Sequence, residues 1–135
     1  MSVLKTYIVE DNPIIRENLI DALQEMLPVQ VVGTATDENT AVEWLSEHRN
    51  DADLVIVDLF LEQGNGLGVL RAAQALHAQQ AMVVLTNFAT PDMSRKCHEL
   101  GADRVFDKSN ELDELLAYCG RLADGQTGHG DLGER

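Results

Sequence analysis

The sequence has few basic residues: 10 lysines and arginines stand against 23 acidic residues, so the 135-residue chain has a formal net charge of −13. This excess of negative charge repels the phosphates of nucleic acids and of anionic lipids, so we expect neither direct nucleic-acid binding nor membrane binding. Long hydrophobic runs are also missing, and the N-terminal apolar run is shorter than that of a signal peptide. These absences predict a soluble acidic protein.

Cysteine is scarce as well. The two cysteines, Cys97 and Cys119, form neither a CxxC motif nor a metal-binding spacing. Both fall in predicted helices, where a small buried residue is the simplest interpretation. We therefore expect two reduced thiols and a cytoplasmic protein.

Strand-like and helix-like segments alternate along the chain, and the central strands are continuous apolar runs. This alternation predicts an α/β fold: a doubly wound, five-stranded parallel sheet with helices on both faces. The predicted strands are Thr6–Glu10, Gln30–Ala35, Leu54–Asp58, Met82–Thr86 and Arg104–Phe106. The predicted helices begin after Asn12 and after Thr90, each before a proline, and span Asp37–Glu47, Gly66–Ala78 and Asn110–Ala123.

A single domain accounts for nearly all of the sequence. We place it at residues 1–124, a length sufficient for a substantial core. Residues 125–135 are polar and glycine-rich, and we expect a flexible C-terminal tail.

Polar side chains gather at the predicted carboxyl ends of the strands, where parallel sheets bind their ligands. Glu10 and Asp11 end the first strand, Asp58 the third and Thr86 the fourth, and Lys108 follows the fifth. Three carboxylates, a hydroxyl and an ammonium group should therefore meet at one edge of the sheet.

This set of groups suits phosphoryl chemistry with a metal ion. Crowded carboxylates repel one another, so a hard cation such as Mg²⁺ should lie among them, with Lys108 balancing one negative charge. The metal and Lys108 would neutralise phosphoryl oxygens, and Thr86 would donate a hydrogen bond. One carboxylate could then act as the nucleophile and form an acyl phosphate.

Four motifs now point to a known family: VED at residues 9–11, VIVDL at 55–59, VVLTN at 83–87 and GADRVFDKS at 101–109. With them the chain resembles a CheY-like receiver domain of a two-component response regulator, of the stand-alone type. The resemblance covers roughly residues 3–123, with each boundary uncertain by about two to four residues. It implies a flavodoxin-like three-layer sandwich with strand order 2-1-3-4-5.

The resemblance also implies roles for the residues at the sheet edge. Asp58 matches the aspartate that accepts a phosphoryl group from a histidine kinase or phosphotransfer protein. Thr86 matches the switch hydroxyl, and Lys108 matches the lysine that pairs with the phosphoryl group.

The same resemblance implies a Mg²⁺ site and no other cofactor. Asp11 and Asp58 match direct ligands, together with the backbone carbonyl of Phe60, and Glu10 matches an acid that holds the metal through water. The chain would not be an enzyme, beyond assisting its own phosphorylation and dephosphorylation. Its output would be an unknown downstream protein, and it would be a monomer or a phosphorylation-dependent dimer.

Several residues depart from the family pattern. Ser109 replaces a proline that often follows a cis bond, so we expect a trans bond after Lys108 and a locally rebuilt loop. Val105 stands where an aromatic switch residue is usual, and Phe106 should face the other side of its strand. Asn87 either crowds the phosphoryl group or donates to it.

Phe60 and Phe88 each lie two positions after a predicted site residue, and both should overhang the pocket. Each is explained most simply as a partly buried aromatic. Together they suggest a hydrophobic lid that hinders attacking water, and we hypothesise that the phosphorylated state hydrolyses slowly.

Three other functions remain open from the sequence. A small Mg²⁺-dependent phosphohydrolase would need a second acid beside its nucleophile, and the residues after Asp58 supply none. A constitutive interaction module that is weakly phosphorylated or not phosphorylated would tolerate Val105 and Ser109. The chain could also be a receiver fragment of a longer regulator.

Overall fold

The computed structural model describes residues 3–48 and 51–125, so most of the predicted tail lies outside the described residues. Five strands and five helices alternate in this part of the chain. The strands are β1 (Leu4–Val9), β2 (Val29–Ala35), β3 (Leu54–Val57), β4 (Ala81–Thr86) and β5 (Arg104–Asp107). The helices are α1 (Pro13–Met26), α2 (Glu38–Glu47), α3 (Gly66–Ala75), α4 (Pro91–Glu99) and α5 (Leu112–Ala123).

All strands pair in parallel, in the order β2-β1-β3-β4-β5, as predicted. Every residue of β3 and β4 is buried, because helices cover both faces of the central strands. One apolar core contains Leu45 of α2, Leu70 of α3 and Cys97 of α4. The other contains Leu23 of α1 and Cys119 of α5, which completes a three-layer sandwich.

The predicted helix starts are confirmed at two prolines. The Asn12 side chain accepts hydrogen bonds from the amides of Ile14 and Ile15, and the Thr90 hydroxyl accepts one from the amide of Met93. Each cap satisfies amides that the first turn of a helix leaves unpaired. Since each cap follows a β-strand loop, α1 and α4 begin immediately beside the carboxyl edge of the sheet.

Nine predicted boundaries were wrong, each by one to three residues. Strands β1 and β3 end before Glu10 and Asp58, although the amide of Asp58 still donates to the carbonyl of Val9 at 2.9 Å. Helix α3 ends at Ala75 because the chain turns there, with His77 at a φ of 54°.

Helix α5 begins later than predicted, at Leu112. The carboxylate of Asp107 accepts hydrogen bonds from the amides of Ser109 and Asn110 and holds these residues in a turn. Within the described residues, no helix is both long and apolar enough to cross a bilayer.

Candidate functional site

The predicted site residues converge at the carboxyl edge of the sheet. All of them except the buried Thr86 border a cavity of about 200 Å³ that is open to solvent. Its lining includes Glu10, Asp11, Asp58, Phe60, Phe88 and Lys108. The parallel topology brings them together, since β1, β3 and β5 all end at this edge.

Glu10, Asp11 and Asp58 form one cluster, in which a carboxylate oxygen from each lies within 4.8 Å of the others. Glu10 and Asp58 are buried, and Asp11 is half-buried. Burial raises the pKa of both buried carboxyls, since desolvation disfavours their charged forms, although Lys108 opposes the rise. The protein thus holds two acids in an environment that resists their ionisation.

Lys108 is the cation that this cluster faces. Its Nζ lies 2.8 Å from Glu10 Oε1 and 3.0 Å from Asp58 Oδ2. Burial alone would lower the pKa of Lys108, but its hydrogen bonds with both carboxylates raise it above the usual value. The raised pKa favours the charged form of Lys108, which lies between the two carboxylates.

The cluster fits a divalent cation. When all three carboxyls are ionised, the single ammonium leaves two negative charges uncompensated, which one divalent ion would neutralise. All side-chain donors are oxygens, the ligand type that Mg²⁺ prefers. Each carboxylate oxygen has more than one lone pair, so the hydrogen bonds already present leave room for coordination.

Backbone amides orient all three carboxylates, a feature that the sequence analysis missed. Any residue except proline supplies such an amide, so no side-chain pattern could have revealed these donors. The three bonds run from Asn12 N to Glu10 Oε2 at 3.1 Å, from Glu62 N to Asp11 Oδ2 at 2.6 Å, and from Phe60 N to Asp58 Oδ1 at 3.3 Å.

Arg16 also escaped the sequence analysis. Its Nη1 donates to the backbone carbonyl of Glu10 at 2.9 Å from the first turns of α1. An arginine at this helical position looks like an ordinary surface residue in the sequence. This hydrogen bond holds the backbone at Glu10, where the chain leaves β1 and enters the site.

Thr86 ends β4 and is fully buried. Its Oγ1 accepts a hydrogen bond from the amide of Phe88 at 3.1 Å, and its backbone carbonyl accepts one from the amide of Lys108 at 2.9 Å. The threonine hydroxyl also carries one hydrogen that it can donate. Thr86 thus connects the β4–α4 loop to the residue that carries the site ammonium.

The peptide bond between Lys108 and Ser109 is trans, as predicted. The peptide bonds of the described residues are all trans. The Ser109 hydroxyl donates to Asn87 Oδ1 at 3.3 Å, which adds a link between two loops at the edge. Since Lys108 still reaches both buried carboxylates, the serine has not displaced it.

Val105 and Phe106 face opposite sides of β5, as predicted. Phe106 lies in the core under α1 and α5, whereas Val105 is half-buried against the other core. Phe106 therefore does not stand in for an aromatic residue at position 105.

Phe60 and Phe88 border the cavity from two loops. Their ring centroids lie 4.8 Å apart with an interplanar angle of 66°, an edge-to-face contact. The rings are 51% and 56% exposed, so the pair covers one side of the opening without closing it.

Comparison with known proteins agrees with this geometry. A profile of the response regulator receiver domain matches residues 6–119. The transcriptional regulatory protein CitB of Klebsiella pneumoniae is 29% identical over 86 residues, which are 64% of this chain and 36% of that protein. The chain thus matches about a third of the length of this relative.

Solved structures share the fold. The receiver domain of the NarL response regulator of Mycobacterium tuberculosis superposes with a TM-score of 0.81 at 21% identity, covering 93% of this chain and all of that one. A LuxR-family two-component response regulator of Aurantimonas sp. SI85-9A1 gives 0.82 at 24% identity, covering 93% and 88%. By its matched profile, the chain belongs to the response regulator receiver domain family.

Proposed function

We propose that this receiver domain is a phosphoacceptor switch, in which Asp58 accepts a phosphoryl group from a histidine kinase or a histidine phosphotransfer protein. The observation that carries the proposal is the position of Lys108, whose ammonium lies 3.0 Å from Asp58 Oδ2. An ammonium there neutralises negative charge where the phosphoryl group would arrive.

In the proposed reaction, a carboxylate oxygen of Asp58 bonds to phosphorus while the bond from phosphorus to the donor's imidazole nitrogen breaks. Lys108 pairs with a phosphoryl oxygen, and Thr86 donates its hydroxyl hydrogen to another. Bound Mg²⁺ would offset the charge on the phosphoryl oxygens.

The proposed metal ligands are the carboxylates of Asp11 and Asp58 and the backbone carbonyl of Phe60, with Glu10 acting through water. The support for this assignment is the oxygen-only cluster and its two uncompensated charges. The chain would be no enzyme toward a separate substrate and would assist at most its own phosphorylation and dephosphorylation.

The proposed output is a change in protein binding at the surface of α4, β5 and α5, driven by a shift between two states. The partner would be a downstream protein or a further part of a longer regulator. The switch would act in the cytoplasm, where the buried thiols of Cys97 and Cys119 stay reduced. It would be a monomer, or a dimer only when phosphorylated.

Acetyl phosphate tests the proposal directly. With Mg²⁺ present, the intact mass of the protein should increase by one phosphoryl group, and it should not increase without Mg²⁺ or in Asp58→Asn. Asp53→Asn is a matched control, because this aspartate precedes β3 at the opposite edge of the sheet, and it should still gain phosphate. A wild-type protein that gains nothing would favour a constitutive interaction module.

A further inference from the structure

Glu38, the first residue of α2, contacts the loop between β3 and α3. Its backbone amide donates to the carbonyl of Gln63 at 3.1 Å, and its Oε1 accepts from the amide of Asn65 at 3.0 Å. Asn65 is the cap of α3 and accepts from the amide of Gly68 at 3.1 Å. The Glu38 carboxylate thus lies at the N-terminus of α3, where the helix dipole favours a negative charge.

Two glycines make room for this side chain. A Cβ at Gly64 would collide with the Cβ of Glu38, and a Cβ at Gly68 would collide with its carboxylate. Gly64 also has a φ of +79°, which alone favours glycine. Gly68 has ordinary helical backbone, so a larger residue there would have to displace the Glu38 carboxylate.

The same loop touches the candidate metal site at its other end. The amide of Glu62 donates to Asp11 Oδ2, and the amide of Phe60 donates to Asp58 Oδ1. A β-bridge between Phe60 and Asn65 closes the segment on itself. Residues 60–65 are therefore held between the site carboxylates on one side and Glu38 on the other.

We propose that Glu38 is a positioning residue for the metal and phosphoryl site, an inference that rests on the proposed function. Glu38 fixes the segment 60–65 from α2. The amides of Phe60 and Glu62 then hold the carboxylates of Asp58 and Asp11 in the orientation that Mg²⁺ requires. Without the Glu38 carboxylate the segment keeps the backbone hydrogen bond at Gln63 but loses the side-chain hydrogen bond at Asn65. The amides that orient the two site carboxylates are then held less firmly.

Removing the anchor should weaken Mg²⁺ binding. Calorimetric titration of Glu38→Ala with Mg²⁺ should show a dissociation constant about tenfold higher than that of the wild type, the lower end of the range for outer-shell partners of metal ligands. Glu38→Gln keeps an acceptor oxygen and the side-chain length, so it should restore most of the affinity. Glu43→Ala removes the same charge from an exposed position on the same helix and should leave the constant unchanged.

Gly68→Ala tests the same contact without altering Glu38. Alanine suits the interior of a helix, but its Cβ would displace the Glu38 carboxylate. We expect Gly68→Ala to weaken Mg²⁺ binding as Glu38→Ala does, and the double variant to be no weaker than either one. Additive losses would show that the two residues act separately and would overturn the proposal.

Amide hydrogen exchange separates this proposal from the proposed function, since it needs neither metal nor phosphate. Exchange at Glu62 and Asn65 should be faster in Glu38→Ala than in Glu43→Ala, while exchange in β4 stays the same. If the wild type takes no phosphate but these shifts in exchange and Mg²⁺ affinity occur, only the phosphoacceptor proposal fails. Unchanged Mg²⁺ affinity in Glu38→Ala, with or without a change in exchange, would overturn the role of Glu38 whatever the phosphorylation result.

Discussion

The two edges of the sheet use the same residue type in opposite ways. At the amino edge, Asp53 precedes β3 and Asp103 precedes β5, and each exchanges two hydrogen bonds with the backbone of a neighbouring strand. Asp53 accepts from the amide of Lys5 at 2.9 Å and donates its own amide to the Lys5 carbonyl at 2.7 Å. Asp103 repeats this pattern with Met82 at 2.8 and 2.7 Å.

At the carboxyl edge the carboxylates face one another. Glu10 and Asp58 are buried together, share one ammonium and have raised pKa values. The carboxylates at the amino edge align neighbouring strands through hydrogen bonds with the backbone. The carboxylates at the carboxyl edge carry more negative charge than Lys108 neutralises. A cluster of like charges in a cavity indicates a ligand, whereas an aspartate that pairs with the backbone of the adjacent strand indicates a structural role.

The largest expected difference between the edges is the response to Mg²⁺. At a concentration about 100 times the dissociation constant, bound Mg²⁺ should raise the free energy of unfolding by about 2.7 kcal/mol. Urea denaturation with and without Mg²⁺ measures this gain. Asp11→Asn should lose most of it and Asp103→Asn should keep it. An equal loss in both variants would remove the distinction between the edges.

The next effect is the pH dependence of Mg²⁺ binding. Because the pKa values of Glu10 and Asp58 are raised, protons compete with the metal at a higher pH than for ordinary carboxyls. At a pH below the raised pKa values, Mg²⁺ must displace a proton from a carboxyl in order to bind. For each proton displaced, the dissociation constant should rise about tenfold, or about 1.4 kcal/mol, for each unit by which the pH falls. Titration calorimetry across mildly acidic pH would measure the slope, and a flat profile would contradict the assignment.

The same raised pKa values make a prediction about stability without metal. A group whose pKa is higher in the folded state contributes stability below its unfolded pKa and loses that contribution as the pH rises through the folded value. The stability of Asp58→Asn relative to wild type should therefore increase from acid to neutral pH. Chemical denaturation at matched pH values would show this trend, and the opposite trend would mean that Asp58 is stabilised as a carboxylate.

Removing an amino-edge aspartate should have a smaller effect, confined to stability. Asp53→Ala removes the acceptor of the Lys5 amide at an exposed position, so the free energy of unfolding should fall by about 1 kcal/mol. Its dissociation constant for Mg²⁺ should match that of the wild type. A change in metal affinity would show that the two edges are coupled.

The smallest expected effect concerns the lifetime of the phosphorylated state. If the pair of Phe60 and Phe88 hinders attacking water, Phe60→Asn and Phe88→Glu should each shorten the lifetime by a few fold. A phosphate-release time course measures it, with substitution of the exposed Ile14 as the control. Unchanged lifetimes in both variants would reject the lid hypothesis.

Much of the fold could be predicted because it depends on local patterns. The apolar runs LVIV and AMVVLT are buried at every position, as their lack of alternation indicates. The C-terminal end of α3 could not be predicted, since it depends on the left-handed turn at His77. The N-terminal start of α5 could not be predicted either, since it depends on hydrogen bonds to the Asp107 carboxylate. Helix boundaries of this kind depend on one backbone conformation or one side-chain hydrogen bond, which a pattern of apolar residues does not reveal.

The candidate site likewise has a part that the sequence predicted and a part that it did not. Its charged groups were visible because they follow strands, and the topology then brings them together. Glu38 was not recognised, because a glutamate at the start of a helix is favourable whatever it touches. Its contact with Asn65 depends on how α2 and the β3–α3 loop meet in the folded protein.

In the proposed function Asp58, rather than Glu10 or Asp11, is the nucleophile. Borohydride reduces an acyl phosphate to an alcohol, so treatment after incubation with acetyl phosphate and Mg²⁺ would convert a phosphorylated aspartate to homoserine. Peptide mass spectrometry should find homoserine at position 58 and unmodified acid at Glu10 and Asp11. Conversion at Glu10 or Asp11, or phosphorylated protein with Asp58 unchanged, would contradict the assignment of Asp58 as the nucleophile.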